Sequence, residues 1–419
     1  MMLPRELTTK VCSLNPQNDH LTHSVELHLS LGGEILGYES FASVIHSKAR
    51  LTYTQVQQFM DGASDHGIPE TVVQRLKNLC PLARKIRALR VANGSVEINT
   101  PEIEIQLNHQ GKVEKMMPRS ESKEAYQLVE ECMLLANRAV AEILIASEKP
   151  SIYRVHDEPD EEQWASMGME LQALGIPKLP QTRQEINEAV KLAAGTAVEY
   201  TANLAILRNF KRAEYSATQI GHFGLAFDDY THFTSPIRRY PDLLVHRMLK
   251  AVEAGQPFPI SEDRIEEISK HCNETEKQAD SLERKSIEKK RMDYYSEIMN
   301  SSLAATFKGY VVSIKGKGMI VELPDSLQRG MVTFASITSE WLEANEEMTQ
   351  AKTRGGKVRH TIGDEVEVAL AKVDTARGFV DFVMADQIAA PPRRSRKPRI
   401  QPDLKTGQPQ HRGKRRRRR

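Results

Sequence analysis

Cysteine is scarce in this chain of 419 residues, and the four present (Cys12, Cys80, Cys132 and Cys272) lie far apart with no C-x-x-C pair. That spacing excludes a zinc knuckle and a disulfide frame, and reads as reduced thiols of a cytoplasmic protein. No apolar run approaches the roughly 18 residues that cross a membrane. The first residues, MMLPRELTTK, lack the apolar stretch of a secretory leader. No glycine-rich phosphate loop is present, so no nucleoside triphosphate is expected. Adjacent aspartates occur once, at Asp228-Asp229. Positive charge is missing from most of the chain: residues 1–390 carry 45 Lys/Arg against 55 Asp/Glu. The body is therefore not a general polyanion binder, and any nucleic-acid contact there must be local. The compensating charge sits at the end. Residues 391–419 hold 13 Lys/Arg and one Asp in a Pro-rich stretch, which reads as a disordered tail for sequence-independent RNA or ribosome binding.

What is present is concentrated between Gly221 and Arg247, GHFGLAFDDYTHFTSPIRRYPDLLVHR. Ser235 followed by Pro236 predicts a helix start. Thr234, Ser235, Arg238 and Arg239 then bring hydroxyls, free N–H groups and two guanidinium groups toward one point, the chemistry that grips a phosphate. On residue types alone, a capped surface turn with two solvated arginines fits equally.

The stretch resembles the signature near the end of the RNB domain, the catalytic domain of the ribonuclease II / ribonuclease R family, and is most similar to the ribonuclease R branch. The resemblance implies a 3′-to-5′ exoribonuclease that hydrolyses RNA to nucleoside 5′-monophosphates with Mg2+. It covers nearly all of residues 1–390. Leu3-Pro4-Arg5-Glu6-Leu7 resembles an internal RNB segment, which implies that this chain begins after the sheet and the aspartate cluster that bind metal in the family. No D-x-x-x-x-x-D-x-D-D run exists here, so no metal ligand is assigned.

Along the chain, alternation predicts strands over 24–30 and 34–43, turned at Gly32-Gly33 and leaving an open sheet edge. Lys48 and Arg50 precede Tyr53 at a helix start. A tyrosine there suits a stacked base or a half-buried anchor, and the resemblance matches it to a tyrosine at the RNA 3′ end. A helix follows over 69–92, and then a strand pair carrying Val96, Ile98, Ile103 and Ile105 around Pro101. The helix over 122–147 contains Glu130 and Glu131. Either forms an ordinary wet face, and its run VEECMLLAN resembles a family helix in which one glutamate faces RNA. Tyr153-Arg154-Val155-His156 resembles a family strand. The acidic run 157–162 predicts a solvated loop, and Thr182 with Glu185 a capping box opening a helix to about Arg208. A long charged helix over 261–300 carries Glu283, which the resemblance places near the active site and the pattern alone places on a solvated face.

Five short strands between about 306 and 383 predict an OB fold, similar to the RNA-binding domain first described in ribosomal protein S-one. The aromatic positions flanking Gly318 hold Lys317 and Met319-Ile320, which weakens base stacking, with Lys308, Lys315 and Lys317 offering phosphate contacts instead. The expected architecture is α+β: a partial RNB domain over 1–303, an OB barrel over 304–388 and a basic tail over 389–419. Expected partners are single-stranded RNA, a separate N-terminal polypeptide carrying the aspartates, and the ribosome, with no membrane. By the resemblance, Arg238 stabilises charge on the scissile phosphate, Tyr53 and one of Glu130 and Glu131 line the RNA path, and Glu283 lies near the active site; the residue types add Thr234, Ser235 and Arg239 as RNA contacts. The chain alone is expected to be inactive. A non-catalytic RNA-binding protein derived from the enzyme is the alternative.

Overall fold

The computed structural model describes residues 2–98, 103–118, 122–177, 179–196, 198–258, 260–301, 305–338, 340–346 and 348–387. The basic tail, Pro101 and Leu303 lie outside them. An antiparallel hairpin comes first, β1 (Asp19–Leu29) with β2 (Ile35–His46), longer at its open end than the alternation alone indicates. Among the described residues it forms a sheet of its own, with both outer edges unpaired. Gly33 makes the turn at φ +94°, a conformation that favours glycine. One face of the hairpin lies on the helical core: Val25 packs against it, and His23 meets Glu253 at 3.0 Å.

Thr52 and Gln55 form a reciprocal capping box that starts α1 (Tyr53–Met60). α2 (Glu70–Ala92) and α3 (Lys123–Ala146) pack on it through Val73, Leu76, Cys80, Ala83 and Leu128. Between them, β3 (Ile103–Leu107) pairs with β4 (Val113–Pro118) across the turn at Asn108. Val96 and Ile98 do not join this pair, contrary to the alternation. They pack instead against the cluster of α4 (Glu161–Ala173), α5 (Arg183–Ala193) and α6 (Glu199–Arg208).

Two further expectations are corrected. The acidic run is not wholly loop, because Asp160 and Gln163 form a second capping box and start α4. The helix expected over 185–208 is two, α5 and α6, broken where Gly195 takes φ +73°. The break lets Ile186 and Ala189 pack against Ala202, Ala205 and Ile206, all buried together with Met167 and Leu171. Each large side chain so buried is worth about 1.5–3 kcal/mol.

β5 (Tyr153–Val155) pairs with β6 (Glu214–Ser216) beneath α7 (Tyr240–Glu253). α8 (Glu262–Asn300), capped by Ser261, runs 39 residues. Its first half is tied to the β5–β6 ribbon: Asn273 exchanges two hydrogen bonds with the Tyr215 backbone, and Arg154 grips Glu276 at 2.9 and 3.1 Å. Its second half carries Met292 and Tyr295 into the core of a barrel.

That barrel is closed in the order β13-β14-β9-β8-β7, from β7 (Thr306–Lys315), β8 (Gly318–Leu323), β9 (Gln328–Thr333), β13 (Glu365–Asp374) and β14 (Phe379–Met384). It matches the five expected strands and their OB-like closure. A short helix, α9 (Phe334–Ile337), and a three-stranded sheet of β10 (Leu342–Ala344), β11 (Gln350–Thr353) and β12 (Val358–Thr361) lie between β9 and β13. The alternation had not shown that small sheet. The chain is thus α+β, a helical part followed by a closed barrel. No helix among the described residues is long and apolar enough to cross a membrane.

Candidate functional site

The stretch 230–242 is built onto α3 and α7. Asn137 of α3 is buried, and its carbonyl accepts the N–H groups of Phe233 at 2.9 Å and Thr234 at 3.2 Å, while its amide donates to the Tyr230 hydroxyl at 3.0 Å. Phe233 stacks on His246 with ring centroids 4.3 Å apart. Thr231 donates to the Ile152 carbonyl at 2.7 Å. So pinned, the chain turns at Ser235, whose carbonyl accepts from Arg238 and Arg239 N–H groups at 3.2 and 3.0 Å.

Ser235-Pro236 therefore forms a turn and not the start of a helix. Helix α7 begins at Tyr240, with Arg239 as its cap and Pro241 in its first turn. Pro241 has no N–H to bond a carbonyl further back, so the helix cannot extend through it toward Pro236. Asp242, fully buried in that first turn, closes the structure. One carboxylate oxygen accepts Ser235 N–H at 2.8 Å and Arg239 Nη2 at 2.7 Å. An acid here is also favoured by the free N–H groups of the helix start.

Three buried polar atoms then remain without a protein partner: Thr234 Oγ1, Arg239 Nε and Asp242 Oδ2. The exposed Arg238 side chain beside them makes no hydrogen bond or ion pair among the described residues. A buried hydroxyl, a guanidinium with its Nε unpartnered, an unpartnered carboxylate oxygen and the exposed Arg238 thus lie within nine residues of one turn.

The histidines of this stretch serve packing. His232 meets the Tyr215 hydroxyl at 2.9 Å, and burial with nearby Arg239 and Arg154 lowers it to about 2. Burial, with His156 and Arg154, lowers His222 to about 3. His156 and His246 are also lowered, chiefly by burial. Among the described residues, no group of three or more His, Cys, Asp or Glu side chains is placed to hold a metal ion. Asp228-Asp229 is no substitute: Asp229 accepts Gln219 Nε2 at 2.6 Å, and burial with Glu142 and Asp228 raises its carboxyl. The residues described do not fit the paired Mg2+ site that the resemblance implies.

The two glutamates on α3 separate cleanly. Glu131 is 1% exposed and clamps buried Arg90 through both oxygens, at 2.6 and 3.1 Å. Arg90 reaches on to Ser95, whose hydroxyl meets the Gly224 carbonyl. Burial is the largest effect and works against the Arg90 charge, but hydrogen bonding to Glu131 and the attraction of Glu131, Glu130 and Glu97 together outweigh it and raise its pKa. Glu131 therefore cannot face a ligand. Glu130 opens to the surface, and the surrounding protein lifts its carboxyl, with Arg90 opposing.

Tyr53 stacks on Tyr126 of α3 with centroids 3.8 Å apart, above a cavity of about 340 Å3 lined by Leu51, Thr52, Leu76 and Leu128. Tyr126, Glu130 and Asn137 are 4 and 11 residues apart. They share one side of α3 over about 16 Å of rise, so this helix links Tyr53 to the turn at Thr234. Glu283 is exposed on α8. In the barrel, Lys308 pairs with Glu365 at 3.3 Å. Lys315 and Lys317 sit exposed at the β7–β8 turn, while Met319 is fully buried in the barrel core. Sequence reasoning missed Arg90, Tyr126, Asn137 and Asp242. Asp242 carried a readable signal, an acid in the first turn after Tyr240-Pro241.

A two-part α+β chain, with a signature turn on packed helices and an OB-like barrel, defines an RNB-type protein. Residues 1–255 match the RNB domain, and the chain belongs to the RNB-domain family. It is 34% identical to ribonuclease R of Thermotoga maritima over 400 residues, which is 92% of this chain and 55% of that one. Against ribonuclease R of Escherichia coli the identity is 30%, covering 93% of this chain and 49% of the relative. The chain thus spans about half the length of these relatives. Among solved structures, the apo form of Mycoplasma genitalium RNase R aligns with TM-score 0.80 at 26% identity, over 91% of this chain and 60% of that one. The same enzyme in complex with ribose methylated single-stranded RNA aligns equally well.

Proposed function

We propose that this chain is the RNA-holding part of a ribonuclease R-like 3′-to-5′ exoribonuclease. The observation that carries the reading is the turn at Thr234–Arg239, where buried Thr234 Oγ1 and Arg239 Nε lack protein partners beside the free Arg238 guanidinium. A phosphate is drawn to the exposed Arg238 and to the outer face of the Arg239 guanidinium, which Asp242 holds in place at 2.7 Å. Arg238 then faces the phosphodiester, where it stabilises the charge that develops on cleavage. Removing such a group typically costs about 3–4 kcal/mol of barrier. Tyr53, Glu130 and Glu283 are the further groups of the RNA path, and Lys315 and Lys317 take phosphates at the barrel. The basic tail adds sequence-independent attraction for RNA.

Hydrolysis with two metal ions needs carboxylates that hold them about 3.5–4 Å apart. The lack of such a group among the described residues supports a chain that binds RNA and does not cut it alone. It also favours the second reading, a non-catalytic RNA-binding protein. In the first reading, a separate polypeptide bearing the aspartates completes the site.

Digestion of a 3′-overhang RNA by the purified chain with Mg2+, beside Arg238→Ala, tests the proposal. The expected result is binding without shortening, weakened in the variant. Stepwise shortening that the variant abolishes would overturn the inactivity. Absence of binding would overturn the RNA reading itself. Adding the aspartate-bearing half of a relative in trans separates half-enzyme from binding protein.

A further inference from the structure

The barrel presents little of the aromatic surface on which OB folds stack bases. Met319 is core, Tyr310 lies between Glu322 and Glu365 in register and its hydroxyl meets Glu365, and Phe379 follows Gly378, which closely approaches the Glu288 carboxylate. The large exposed aromatic accompanied by a cation lies instead on the small sheet β10–β12. Trp341 is 64% exposed, and the Arg354 guanidinium sits over its ring at 5.1 Å from the centroid. The backbone beside it is anchored. The next residue, Leu342, is buried in the barrel core cluster together with Ala351, and Leu342 faces Thr353 across the β10–β11 register, which brings residue 341 beside residue 354.

The charge around it suits an anionic chain. Residues 348–363 contain Lys352, Arg354, Lys357 and Arg359 and no acid. Of the acids near Trp341, Glu340 is bound by Arg359 at 2.6 Å, and Glu343 lies opposite Lys352 in register. Hydrogen bonding to Arg359 holds the Glu340 carboxyl below its ordinary range. Arg354 makes no ion pair among the described residues, and Lys357, which also attracts the Glu340 carboxylate, makes none either. A flat, solvated indole with one cation on it and another nearby is a stacking platform for a base and its phosphate.

We propose that Trp341, with Arg354, is a nucleobase-stacking site for single-stranded RNA, displaced from the barrel strands onto the sheet inserted between β9 and β13. The inference rests on the RNA-binding reading above. Lys357 takes the adjoining phosphate.

Tryptophan emission of the whole chain is followed while a short oligouridine is added, and affinity is read in parallel by anisotropy of a labelled copy. The chain has two tryptophans. Trp164 is partly buried in the α4–α6 core, edge-on to Phe223, so quenching by a stacked base reports Trp341. The expected result is quenching in the wild type, lost in Trp341→Leu, with affinity lowered about 5- to 150-fold, the span of one stacked base. Trp341→Phe recovers part of the affinity, and Phe379→Ser leaves it unchanged. Unchanged affinity in Trp341→Leu, or RNA bound with unaltered emission, overturns the stacking site. A wild-type chain that binds no RNA overturns the reading on which it rests.

Discussion

The Arg90–Glu131 pair gives the sharpest test of how the helical part is held. Glu131→Gln keeps the shape of the side chain and removes its charge. In the folded protein Arg90 is 9% exposed and Glu131 1%, and two hydrogen bonds of 2.6 and 3.1 Å join them. With the carboxylate gone, the guanidinium is left buried with Ser95 and one amide oxygen. An uncompensated buried charge of this kind costs about 3–5 kcal/mol. Glu130→Gln, one residue away on the surface, costs less than about 0.5 kcal/mol. Replacing both partners, Arg90→Met with Glu131→Leu, restores most of the loss, because no charge is then stranded. Far-UV ellipticity in a urea titration reads chiefly the helical part, since the barrel and its insertion contribute two short described helices, Phe334–Ile337 and Ala385–Gln387. A loss below about 1 kcal/mol for Glu131→Gln, or an equal loss for Glu130→Gln, would refute the argument and reopen Glu131 as a ligand-facing residue.

Two other expectations follow from the signature stretch. His222 and His232, lowered to about 3 and about 2, stay neutral in the fold, while the unfolded chain protonates near pH 6.5. Protons therefore favour unfolding between those values. Stability is full above about pH 6.5 and declines toward pH 5 by about 1.4 kcal/mol per unit for each histidine. Urea unfolding across that range shows the slope, and a flat profile would be inconsistent with buried neutral imidazoles. Gly221 sits at φ +82°, where a Cβ would come within 3.1 Å of the Phe227 carbonyl. Gly221→Ala is expected to cost about 1–3 kcal/mol and to weaken RNA binding by disturbing the turn, as a melt and an anisotropy titration would reveal.

Much of the fold was legible because the periodicities were long and bounded. The capped 39-residue α8, the 23-residue α2 and the barrel strands between glycine turns each carry their own signals. The misreadings share a cause, which is tertiary packing overriding local pattern. Val96 and Ile98 alternate like strand residues, yet their apolar sides are taken by α4–α6. The α5–α6 break depends on a glycine whose sequence context, among alanines, suits continuous helix. Pro236 looks like a helix start until Pro241 is seen to own that role. At the site, residue types located the phosphate-gripping turn, but its aim comes from Asn137 and Asp242, which act through burial and distance. Which α3 glutamate is free follows from Arg90, 41 residues upstream of Glu131, and no local pattern carries that.

Helix α8 touches the signature half through Asn273 and Glu276 and the barrel half through Arg291, which bonds the Ser326 and Leu327 carbonyls, and Tyr295. Some 20–30 Å of unbroken helix separates these attachments. Such a helix acts as a gauge. Each residue added or lost between Glu276 and Arg291 turns the barrel by about 100° and shifts it by about 1.5 Å relative to the phosphate-gripping turn. The length of α8 is therefore set in whole turns, and its middle tolerates substitution far better than insertion.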